Sequence, residues 1–183
     1  MRFFNTAGPI NPAKHYSLDP LRRMDLDNLL PLIEQEKYFV LHAPRQTGKT
    51  SGLLALVKFL NGTGDYRCVY ANLEIGQAAR EDVAAAMPAL LNEIAERARL
   101  ILNDPWPAER WPTLLREAGP FGALNSLLTE WSQQDARPLV VLLDEIDALI
   151  GDTLITILRQ LRSGYDKRPQ AFPQSVILCG VRD

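Results

Sequence analysis

The stretch KYFVLHAPRQTGKTSGLLALVKFL, Lys37 to Leu60, decides the fold. Its first six residues, Lys37 to His42, form a short apolar run rich in aromatic and β-branched side chains. Such a run, stopped by a loop containing Pro44, reads as a buried strand. Past Gly48, residues Leu53, Leu54, Leu56, Val57 and Leu60 recur at helical spacing, and Asn61-Gly62 is a helix stop signal. An eight-residue loop, Ala43 to Thr50, therefore joins a strand directly to a helix.

That loop, APRQTGKT, fits the Walker A pattern except that Ala43 stands where glycine is usual. The chemistry explains the residue types. A polyphosphate needs backbone N–H groups converging on one point, and a loop entering a helix supplies them along with the positive end of the helix dipole. Gly48 lets the backbone approach closely, Lys49 offers a point charge to the outer phosphates, and the Thr50 hydroxyl suits Mg²⁺. The Ala43 methyl demands ordinary φ and Pro44 removes one N–H, but both precede the donors nearest the phosphates. The expected nucleotide contacts are Ala43, Pro44, Arg45, Gln46, Thr47, Gly48, Lys49, Thr50 and Ser51.

Outward from the loop, strands alternate with helices. Asp25 to Glu36 has helical spacing with Pro31 marking a break or kink. Arg67 to Leu73 predicts a second strand, and Val83, Met87, Leu90, Leu91, Ile94, Ala98 and Ile101 predict a long helix that Pro88 kinks or splits. Residues 103 to 120, with three prolines and two tryptophans among their first ten, read as an insertion whose indoles pack against the body. Leu124, Leu127, Leu128 and Trp131 mark another helix, Leu139 to Leu143 a third strand, and Leu154, Ile157, Leu158 and Leu161 the face of a helix over Asp152 to Arg162. Ser175 to Cys179 is a fourth strand. This alternation implies right-handed crossovers and a parallel sheet covered on both faces, a three-layer α/β/α sandwich.

The third strand ends in Asp144-Glu145, the form of a Walker B motif. A strand end aims successive side chains in different directions, so the two carboxylates can take two roles. Asp144 is expected to hold Mg²⁺ with Thr50, and Glu145 to orient and deprotonate an attacking water as the catalytic base. The guanine signature Asn-Lys-x-Asp is absent.

Composition sets the remaining bounds. The 183 residues are 46% hydrophobic and 23% charged, enough for one sizeable core, and 20 Lys+Arg against 22 Asp+Glu give a net charge of −2. That balance leaves nucleic acid as a partner without support. Cys68 and Cys179 sit in apolar runs and read as buried reduced thiols, which favours a cytoplasmic protein. No apolar run approaches the roughly 20 residues of a membrane span. Residues 1 to 20, with Gly8, Pro9, Pro12 and Pro20, read as an extended arm.

Taken in order, APRQTGKT, LVVLLDEID and the terminal VILCGVRD resemble the AAA+ and STAND branch of P-loop ATPases, most closely the bacterial and archaeal AAA-ATPase-like proteins, over residues 15 to 183. The resemblance implies a sheet ordered 5-1-4-3-2 of the additional-strand type, ATP and Mg²⁺ as ligands, and a homo-oligomer or an appended effector domain as partner. It implies a chain that is either an ATP-hydrolysing switch or a nucleotide-binding regulatory scaffold. Arg182 matches a sensor arginine that reads the γ-phosphate and would join Lys49 and Glu145 in catalysis; the other reading is a surface arginine at a strand end. Asn72 is a candidate restraint on Glu145. His15 to Leu21 is either a docking arm or an adenine contact, and Arg159 and Arg162 either a solvated helix face or fingers toward a neighbouring subunit. On this resemblance residues 1–24 are an arm and 25–183 an ATPase core that stops before a fifth strand and a helical lid, leaving the first strand as an apolar edge.

Overall fold

The computed structural model describes residues 3–4, 11, 13–16, 19–42, 44 and 47–180. Its elements, in chain order, are α1 (Leu26–Glu34), β1 (Phe39–His42), α2 (Lys49–Thr63), β2 (Arg67–Asn72), α3 (Val83–Leu102), α4 (Trp106–Ala118), α5 (Ala123–Ser132), β3 (Leu139–Asp144), α6 (Gly151–Ser163) and β4 (Ser175–Gly180). The four strands form one parallel sheet ordered β1-β4-β3-β2. This is the expected order 1-4-3-2, with the strand that leads into the phosphate loop, β1, and the Asp-Glu strand, β3, flanking β4.

Period-two alternation divides the strands between two cores. Val69 and Ala71 of β2, Val141 and Leu143 of β3 and Val176 of β4 face a large cluster completed by α3, α4, α5 and α6. Cys68 and Tyr70, Val140 and Leu142, Ile177 and Cys179 face the opposite way, against α1 and α2. Both sheet faces are thus covered, and the chain is an α/β/α sandwich. Both cysteines are free and buried in the second cluster.

Several prolines and glycines behave differently from expectation. Pro31 and Pro88 lie inside unbroken helices, α1 and α3. Each removes one backbone hydrogen bond, and in α3 the eight side chains buried along its length outweigh that loss. The segment 103 to 120 is largely helix rather than irregular insertion. Pro107 sits in the first turn of α4, where N–H groups have no intrahelical partner, so only Pro112 interrupts the ladder. Trp106 and Trp111 do pack against the larger core, as expected.

The helix α2 does not stop at Asn61-Gly62 but runs to Thr63 and is closed by Gly64 in the left-handed region, φ 81°. Asn61 instead donates its side-chain amide to Cys68 O at 2.8 Å and accepts from Cys68 N at 2.7 Å, pinning the rim of β2. On α6, Leu158 is 39% exposed, and the buried face is carried by Thr153, Thr156 and Gln160 together with Ile157 and Leu161. β1 is an edge strand with Val40 64% exposed.

Candidate active site

The carboxyl ends of the strands gather the residues that the motifs single out. Gly48 takes φ 83°, ψ 23° as the residue before α2, a left-handed conformation that disfavours any residue with a Cβ. The first α2 bond closes behind it, Gly52 N–H to Gly48 O at 2.9 Å, so the N–H groups of the first turn point outward. Thr47 Oγ1 donates to Pro44 O at 2.8 Å, and Lys49 Nζ donates to the same oxygen at 3.0 Å. Ala43, Arg45, Gln46 and Arg182 lie outside the described residues.

Asp144 is the centre of the arrangement. Its side chain shares a sheet face with Leu142 and Tyr70, the face that α2 covers. Across 94 residues of sequence, Thr50 Oγ1 donates to Asp144 Oδ2 at 2.9 Å. Tyr70 Oη donates to that same oxygen at 3.0 Å, and Glu145 N–H donates to Asp144 Oδ1 at 3.1 Å. The Cys179 thiol on β4 also hydrogen-bonds this carboxylate; burial first, then the negative charge of Asp144, pushes the thiol up to about 12. Burial and then the Asp144 charge likewise raise the Tyr70 phenol above its ordinary range, so both groups remain protonated donors at neutral pH.

Glu145, one residue on, points elsewhere. It occupies the left-handed region at φ 55°, ψ 38°, a strained backbone for a non-glycine residue. Burial raises its carboxyl above the ordinary glutamate value, the charges of Asp144, Asp147 and Glu74 add to that, and Lys49 pulls the other way. A carboxylate held in this way is a stronger base than one in water. The Asn72 side-chain oxygen accepts from Glu74 N–H at 2.8 Å.

A hard divalent cation takes oxygen ligands, and Thr50 and Asp144 present two that already lie in contact. Among the described residues no group of three or more His, Cys, Asp or Glu is arranged to hold a metal ion. A cation here therefore depends on phosphate oxygens and water for its remaining ligands.

The segment around Pro20–Arg23, a single 3₁₀ turn, docks on α2. Leu21 and Met24 pack against the α2-side core, and Gly52 is where α2 admits Met24, since a Cβ there would meet its Sδ at 2.7 Å. A groove of about 690 Å³ remains between Asp19–Leu21 and the α2 residues Ser51, Leu54, Ala55, Lys58, Phe59, Gly62 and Thr63. Arg159 and Arg162 are exposed on α6, Arg162 lying over the Tyr165 ring with its guanidinium carbon 5.9 Å from the centroid. The residue that the sequence reading missed is Tyr70. Alternation within each strand does not relate Tyr70 to Asp144; the pairing of β2 with β3 brings the two together.

No protein-family model matches the chain, and no curated protein does. Among solved structures, that of Drosophila ORC bound to poly(dA/dT) DNA and Cdc6 contains a chain similar to this one, with a TM-score of 0.55 and 16% identity. The similarity covers 90% of this chain and 25% of that one, so this chain spans about a quarter of the length of its structural neighbour. At such identity the likeness is one of fold. Together with the strand order, it makes the fold class a P-loop NTPase-like α/β/α sandwich. Among the described residues, no helix is long and apolar enough to cross a membrane.

Proposed function

We propose that this chain is an ATP-binding and ATP-hydrolysing core of the AAA+/STAND branch that uses Mg²⁺. The observation that carries the reading is the 2.9 Å bond from Thr50, in the first turn of the helix behind the loop, to Asp144 at the end of β3. It joins the two halves of one site from motifs that the sequence keeps far apart. A helix start with outward N–H groups receives the phosphates, Lys49 neutralises the outer ones, and Thr50 with Asp144 holds the cation. Thr50 and Asp144 would hold Mg²⁺, which would supply positive charge to offset that developing on the phosphate. Glu145 orients a water for in-line attack on the γ-phosphorus and accepts its proton as the new P–O bond forms and the bond to the β-phosphate oxygen breaks. Arg182 completes this reading as a γ-phosphate sensor.

A net charge of −2 lends no support to carrying the DNA of the neighbouring structure over to this chain, and stimulation of turnover by DNA would supply that support. The reading is tested by calorimetric titration of ATP with MgCl₂ and by phosphate release. Lys49→Ala should weaken ATP binding by roughly a hundredfold, as expected for loss of a charge-assisted contact to phosphate. Glu145→Gln should retain binding and lose turnover by a similar factor. Binding by the wild type without turnover would make the chain a regulatory scaffold, and no binding at all would remove the reading.

A further inference from the structure

The roles above use Thr50, Asp144 and Glu145 but leave the Tyr70 hydroxyl unassigned. Tyr70 is 3% exposed, in the middle of β2, and its hydroxyl meets Asp144 Oδ2 at 3.0 Å. That oxygen also receives Thr50 Oγ1, so its two donors come from two different elements, a helix and a strand. Glu145 N–H holds Oδ1 from the chain itself, and donors on Oδ2 from two further elements fix the plane of the carboxylate about its Cβ–Cγ bond. Thr50 sits behind the phosphate loop and also serves the cation, but Tyr70 touches only the carboxylate side of the site. Its ring is held in turn by Arg97 of α3, whose guanidinium carbon lies 5.5 Å from the ring centroid. Arg97 Nε donates to Glu93 Oε1 at 2.7 Å, and Glu93 reaches back to Asn72 N–H at 3.4 Å, beside Asp144 in the sheet.

We propose that Tyr70 is a positioning residue of the magnesium site: it orients the Asp144 carboxylate and so sets the affinity for Mg²⁺ without contacting nucleotide. This rests on the nucleotide-site reading above.

The test titrates MgCl₂ against the chain in the presence of a fluorescent ATP analogue, with a parallel analogue titration in EDTA and a melting curve for each variant. Tyr70→Phe removes the hydroxyl and keeps the ring. It should raise the Mg²⁺ concentration at half-saturation by about tenfold, the size expected for one hydrogen bond to a charged group, while analogue affinity in EDTA stays near that of the wild type. General loosening would lower both affinities together with the melting temperature, which overturns the proposal. Arg97→Ala keeps the hydroxyl and frees the ring, and should shift half-saturation the same way by about threefold; it carries the test if Tyr70→Phe does not fold. Unchanged half-saturation in both variants, with Mg²⁺ dependence lost in Asp144→Asn, overturns the Tyr70 role and leaves the site. Nucleotide binding by the wild type that ignores Mg²⁺ overturns the site itself.

Discussion

The two ends of the sheet both bury charge, and they do so with opposite bookkeeping. At the amino ends of the strands, Arg67 is 4% exposed yet meets two carboxylates, Asp104 at 3.7 Å and Asp135 at 3.9 Å, and donates to Trp131 O at 2.9 Å. Asp104 is further satisfied by Trp131 Nε1 at 2.7 Å. Charge there is balanced and one arm of the guanidinium is hydrogen-bonded, while Arg67 Nε is buried without a hydrogen-bond partner. At the carboxyl ends, burial and then the charges of Asp144, Asp147 and Glu74 raise the proton affinity of Glu145, and Lys49 acts against them. Glu145 is also held at a positive φ. Balanced burial fixes a fold; like charges gathered beside a helix start suit a site awaiting a cation and phosphates, and their strain is the stored cost of that readiness.

The largest break in this comparison comes from unbalancing the amino end. Arg67→Ala leaves two carboxylates facing a cavity and Trp131 O without its donor. Because Asp104 and Asp135 are 21% and 30% exposed, water recovers part of the loss. Unfolding stability should fall by about 2–3 kcal/mol, below the full value for a wholly buried pair. Urea unfolding checks this, and a loss under about 1 kcal/mol would mean that Arg67 is no keystone of that end.

The carboxyl end should respond with the opposite sign. Glu145→Gln removes one of the crowded negative charges and keeps the shape, so stability should rise by about 0.5–1 kcal/mol even as turnover is lost. If melting shows Glu145→Gln to be destabilising, the carboxylate is a structural member of the fold and not a strained functional one. Magnesium with nucleotide should narrow the gap between the two proteins, because a bound cation relieves the same repulsion.

The sandwich and the candidate site's residues were legible in the sequence for one shared reason: both are written in short local patterns. The apolar run Leu139–Leu143 ending in Asp144 and the spacing in Lys49–Thr63 are local signals, and the strand order followed from the resemblance that the motifs carried. What stayed hidden depended on contacts between distant segments. Proline-rich α4 was illegible because proline is neutral in a first turn and harmful one turn later, and composition does not say which applies. The Arg67 pairings join residues 37 and 68 positions apart, and the Tyr70 bond spans 74. Asn61 looked like a helix terminator and is a side-chain clamp on β2, since asparagine mimics a peptide group equally well in either setting.

Acid should separate the two ends most gently. Asp135 has its carboxyl held well below the usual carboxylate range, first by hydrogen bonds from the Arg137 guanidinium and backbone N–H, then by the charge of Arg67. A folded-state value below the unfolded one contributes stability that is complete above the unfolded carboxylate pKa, about 4, and is lost as pH falls from there toward the depressed value. Melting temperature measured from pH 5 down to pH 2 should therefore decline less steeply in Asp135→Asn than in the wild type, while the two run parallel above pH 5. The difference should be small, since exposure and salt screen the Arg137 contact, and it should shrink further in 1 M NaCl. Parallel curves throughout would mean that Asp135 is as free in the fold as in the unfolded chain, and that Asp104 alone balances Arg67.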